Sequence, residues 1–76
     1  MATRQVYHVV PGGNSWRVEK EGADRPSAMT DDKNQAVERA RELAEGEPLG
    51  QVIIHKQDGT IEKEYTYGKD PKDKPG

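Results

Sequence analysis

Residues 31–46 read DDKNQAVERARELAEG, and the rest of the chain reads as strand or turn around them. Within this stretch Ala36, Val37, Ala40, Leu43 and Ala44 fall at spacings of one, three and four, which is one stripe of an amphipathic helix. Lys33, Glu38, Arg39, Arg41, Glu42 and Glu45 occupy the remaining turns and belong in water. Thr30, Asp31 and Asp32 offer N-caps and negative charge at the positive end of the helix dipole, and Gly46 and Pro48 end the helix. It is the one segment able to cover a face of a sheet.

Working outward from the helix, the flanks are strands. Gln5 to Val10 is rich in β-branched and aromatic residues, and Trp16 to Lys20 alternates apolar with charged across the turn cluster Pro11-Gly12-Gly13-Asn14-Ser15. Tyr7 and Val9 are expected to share the buried face with Trp16 and Val18, which leaves Arg17 and Glu19 in water. Arg25 to Met29 is a short third strand of edge type, where Pro26 is tolerated. After the linker Glu47-Pro48-Leu49-Gly50, strands Gln51–Lys56 and Thr60–Tyr67 flank Asp58-Gly59, a strong hairpin signal. A two-residue loop places Val52, Ile54, Ile61, Tyr65 and Tyr67 on one face; a three-residue loop with Gly59 left-handed allies Ile61 with Ile53 and His55. The last residues, GKDPKDKPG (68–76), carry no apolar side chain and two prolines, and predict a disordered tail over 69–76.

The predicted fold class is therefore α+β: one helix on an antiparallel sheet of four or five strands, in the order β-β-(β)-α-β-β, as a single domain over residues 1–68. Its expected core is Tyr7, Val9, Trp16, Val18, Val37, Ala40, Leu43, Ile54, Ile61 and Tyr65. Hydrophobic residues make up only 30% of the 76 residues and charged residues 34%, with no Phe. A core that small supplies roughly 3–5 kcal/mol, so a staple is expected. With no cysteine there is no disulfide or thiolate metal site, which leaves oligomerisation. A cysteine-free chain also suits a reducing cytoplasm. No apolar run suggests a signal peptide or a membrane span, and a soluble cytoplasmic protein is expected.

The pieces YHVVP (7–11), W-x-V (16–18), the helix with ARELA (40–44) and IHKQDGTI…YTYGKDP (54–71) resemble a small bacterial family, domain of unknown function 2188. The element order is similar to the YegP-like β3-α-β2 architecture, in which two chains pair by exchanging C-terminal strands. The resemblance implies a paired assembly and carries no activity, cofactor or catalytic residue.

Each site candidate has a plainer reading beside it. His8 and His55 stand on different strands 47 positions apart, with Glu62 placed to face His55, and no spaced cluster supplies the three or four ligands that zinc takes. Ser15, Ser27 and Thr30 lack an elbow motif, and Pro11-Gly12-Gly13-Asn14 lacks the helix and lysine of a phosphate loop. Asp31/Asp32 read as helix-terminal charge and Glu62/Glu64 as a solvated strand face. No catalytic, cofactor-binding or metal-ligating residue is predicted, and the chain is read as non-enzymatic. The remaining pattern is aromatic beside basic: Tyr7, Trp16, Tyr65 and Tyr67 near Arg4, Arg17, Lys20 and Lys63, as on sheets that stack single-stranded bases. The net charge of −2 opposes it, and the acidic excess sits in residues 31–50, with six acidic and three basic side chains. The leading expectation is a homodimeric binding or assembly module with an unknown protein partner. Nucleic-acid binding through the sheet face, using those four cations, is the alternative.

Overall fold

The computed structural model describes residues 4–68. Strands β1 (Gln5–Gly12), β2 (Ser15–Lys20) and β3 (Pro26–Thr30) precede helix α1 (Lys33–Glu45), and β4 (Gly50–His55) and β5 (Ile61–Tyr67) follow it. The strand order across the sheet is β3-β2-β1-β4-β5, with α1 on one face. The predicted tail, 69–76, lies outside the described residues.

The sheet is mixed, not antiparallel throughout as the sequence reading expects. β1 and β4 run parallel, Tyr7 beside Val52 and Val9 beside Ile54. The cause is parity. Two hairpin reversals make β3 run the same way as β1, and α1 carries the chain back to the end where β1 began. A 13-residue helix spans about 20 Å, the length of a six-residue strand. β4 therefore starts beside Gln5, with Gln5 N–H donating to Leu49 O at 2.8 Å. β4 and β5 complete the sheet of their own chain, where the YegP-like likeness implies their exchange between chains.

The turns follow from a few residues. Gly13 has φ +76 and no other residue of its two-residue loop is left-handed, the pattern of a type II′ turn that sets Val9 opposite Val18. Gly59 has φ +93 and donates to Lys56 O at 2.9 Å, closing a three-residue loop. His55 accordingly faces Ile61, but Ile54 already pairs with Lys63, so one extra residue bulges between them. That bulge reconciles the two registers open from sequence: Ile61 joins His55, while Tyr65 and Tyr67 join Val52 and Gly50. Asp32 is the N-cap, its carboxylate accepting from Asn34 N–H at 3.3 Å.

The core consists of Tyr7, Val9, Val18, Ala36, Ala40, Ala44, Val52 and Ile54. Three corrections to the expected core follow, the first from how α1 sits. Its innermost line is Ala36, Ala40 and Ala44, each four residues on, so Val37 and Leu43 flank the contact and are only half-buried. Alanine's single methyl lets the helix lie close to the strands. Trp16 and Tyr65 pack against the rim of the core. Ile61 is 52% exposed, because the bulge turns it to the face that no helix covers.

Candidate functional site

Side chains alternate across a strand, so the residues between the buried ones mark the second face of the sheet. That face carries Val6, His8 and Val10 from β1, Gln51, Ile53 and His55 from β4, and Arg17 and Glu19 from β2. Met29 (63% exposed) pairs with Arg17 and extends it at one edge, and Ile61 does so at the other. A partly apolar strip thus runs through the middle of an uncovered sheet, with charged and amide side chains at its sides. Gln51 donates to Glu64 at 3.0 Å, and Arg17 Nε stands 3.5 Å from Glu19. Arg17 Nε is shielded from water and makes no hydrogen bond.

His8 and His55 meet on this face. Their rings stand 3.0 Å apart from His8 Nδ1 to His55 Nε2, and His8 Nε2 is 2.9 Å from Glu21 Oε1. The carboxylate in the cluster is therefore Glu21, just beyond β2, and not Glu62, which the bulge turns to the helix side to pair with Lys33. Parity made the encounter legible: β4 lies beside β1, and both histidines alternate away from the buried residues. Among the described residues no three His, Asp or Glu side chains gather as a metal site. A groove of about 420 Å³ lies on the other side between Trp16, Lys33, Lys56, Gln57, Asp58 and Glu62.

The aromatic residues occupy the helix side. Tyr65 carries Arg41 at 4.9 Å on its ring and Lys63 at 5.0 Å, and Arg41 Nε donates to the Tyr67 hydroxyl at 2.6 Å. Lys33 lies 5.7 Å over Trp16 and also pairs with Glu62, whose carboxyl is held below its ordinary range by that hydrogen bond. The four cations singled out as nucleic-acid contacts do not share a surface. Arg4 donates to Gly50 O at 3.3 Å beneath the β1–β4 start, Arg17 is on the open face, Lys20 lies over Tyr7 and near Glu47, and Lys63 is at the β5 edge. No Tyr or Trp of the described residues stands on the open face.

Tyr7 is a buried phenol whose hydroxyl donates to Glu47 at 2.8 Å. Burial first, then the hydrogen bond to Glu47 and its negative charge, push the Tyr7 hydroxyl up to about 12. A folded-state value above the unfolded one gives stability that is full below pH 10 and lost as pH rises towards 12. Denaturant melts are therefore expected to lose stability across that window. Tyr7→Phe should remove most of this slope.

The fold and this face define a small α+β domain with an open sheet surface in place of an enclosed cleft. The chain belongs to the family described as uncharacterized protein conserved in bacteria (DUF2188), whose profile matches residues 7–67. It is also 38% identical over 64 residues to the uncharacterized protein YdaT of Bacillus subtilis (strain 168), an alignment covering 84% of this chain and 42% of that protein. The chain thus spans less than half the length of that relative. No solved structure matches it.

Proposed function

We propose that this chain is a non-enzymatic binding and assembly module of the cytoplasm that acts as a homodimer, two copies pairing by the open faces of their sheets. The observation that carries it is the half-buried strip of Val6, Val10 and Ile53, with exposed Met29 and Ile61 at its edges, on a five-stranded sheet with its helix on one side only. Five strands about 4.8 Å apart and six residues long present roughly 24 by 20 Å. Two such faces together bury about 1,000 Å², near the lower limit for a specific interface. An apolar middle with Arg17, Glu19, Gln51 and Glu64 at its sides suits that use. Arg17 and Glu19, paired at 3.5 Å within one chain, bring both signs of charge to the side of the strip, where a second copy related by a two-fold axis can match them. The thin core supports the same reading, since three of its eight residues are alanine. The non-enzymatic part rests on the histidines meeting on an open surface, away from the grooves. Nucleic-acid binding has less support: the rings that would stack bases lie on the helix side, Tyr65 and Trp16 already covered by cations.

Sedimentation velocity tests the pairing. Wild-type protein at micromolar concentration is expected to run as a dimer, and Ile53→Lys, with an unchanged circular dichroism spectrum, as a monomer. Arg39→Glu on the far side of α1 should remain a dimer. A wild type that stays monomeric, or an Ile53→Lys that still pairs, overturns the proposal.

A further inference from the structure

His8 and His55 belong to a chain of three polar contacts that ends on an acceptor at both sides. Glu21 Oε1 is 2.9 Å from His8 Nε2, His8 Nδ1 is 3.0 Å from His55 Nε2, and His55 Nδ1 is 3.4 Å from Gly59 O. A carboxylate and a carbonyl only accept, so the outer contacts require hydrogens on His8 Nε2 and His55 Nδ1. The central contact requires a third hydrogen. Two neutral imidazoles bring only one each. With two hydrogens, one of the three contacts must set lone pair against lone pair. With four, two N–H groups collide across the central 3.0 Å. Only three hydrogens turn every contact into a hydrogen bond.

The ring geometry suits a hydrogen in the middle. The centroids are 5.2 Å apart, close to the most that two ring radii and the 3.0 Å gap allow, so the nitrogens meet nearly head-on. The planes differ by 31°. A metal bridging two imidazoles needs both lone pairs bent towards a common point, which this alignment does not offer.

We propose that His8, His55 and Glu21 form a binding site for a single proton, held in common by the two rings and latching β1 to β4 on the open face. Loading it adds one positive charge beside Glu21, and a second proton goes on only in a separate, more acidic step because it breaks the central bond. The charged groups on this face of the neighbouring strands are Glu19 and Arg17 on β2, Glu21 after it and Glu64 on β5, while Lys56 and Asp58 of the β4–β5 turn line the groove on the other side. The other β1 side chains on this face are Val6 and Val10, and α1 packs on the opposite side. Histidine is the side chain that ordinarily changes charge near neutral pH, so the latch makes this face responsive to acidity. Resting on the pairing proposed above, it also sets a direction: a cation on a surface that must be dried weakens the dimer in acid.

Nitrogen-15 NMR of the ring nitrogens in the full chain, followed from pH 4.5 to 8.5, tests the site without relying on self-association. In wild type both rings should report the same two macroscopic steps, because the protons belong to the pair. In His55→Gln, His8 should titrate in one independent step, and in wild type a through-bond coupling should join His8 Nδ1 and His55 Nε2. Two unlinked single steps in wild type, with His8 unmoved by His55→Gln, overturn the proton site. A monomer with shared steps removes the pairing and keeps the site; a dimer with unlinked steps does the reverse.

Discussion

Gly50→Ala is expected to destabilise the fold by about 3 kcal/mol or more, beyond the usual cost of an added methyl in a packed core. A Cβ at Gly50 would stand 2.2 Å from Ala44 O, 2.8 Å from Ala44 C and 2.9 Å from Ala44 Cα. All three are backbone atoms of the last turn of α1, which cannot rotate aside as a side chain does. Relief requires the helix end to lift from β4, and Ala44, fully buried there, would lift with it. For a domain of this size the loss corresponds to a fall in Tm of roughly 12–24 °C. Thermal melts of wild type and variant check it. A fall of only a few degrees would mean that α1 does not approach β4 so closely.

The second large effect is expected from Ala40→Leu. Ala40 is fully buried at the middle of the alanine line, so three more carbon atoms have no space to enter. Overpacking of this kind costs about 1–3 kcal/mol, and at a helix–sheet contact set by one methyl we expect the upper end. Val37→Leu, at a half-buried flank, should cost much less. Denaturant unfolding of both variants separates the two sites. Equal losses would mean that Val37 faces the sheet as closely as Ala40 does.

These two positions also show where the sequence was readable. Alternation over Gln5–Val10 and Trp16–Lys20 put Tyr7, Val9 and Val18 inward, and the caps placed α1 within two residues of its observed ends. The inward line of α1 was harder to read. Val37 and Leu43 are the larger hydrophobic residues, yet close approach to a sheet favours the smaller ones, and pattern alone weighs residues by size. Gly50 reads as linker because a glycine demanded by a neighbouring backbone looks like any other glycine. The parallel pairing of β1 with β4 was there to be counted from the number of reversals, and with it the meeting of His8 and His55. Glu21 was not, since it lies past the end of β2 and reaches His8 only through side-chain length. Nor was the outward turn of Ile61, which depends on a bulge that strand pattern does not encode.

The proposed pairing rests on the open face. Carrying no Tyr or Trp among the described residues, it leaves apolar contact and the histidine chain as its chemistry. The measurement that tests this most directly is a dilution series of amide and methyl NMR spectra, repeated with a single-stranded oligonucleotide. Shifts on dilution confined to Val6, His8, Val10 and Ile53, and none on adding the oligonucleotide, are the expected result. Spectra unchanged on dilution, with Trp16, Tyr65 and Tyr67 responding to the oligonucleotide, would contradict it and move the binding surface to the helix side.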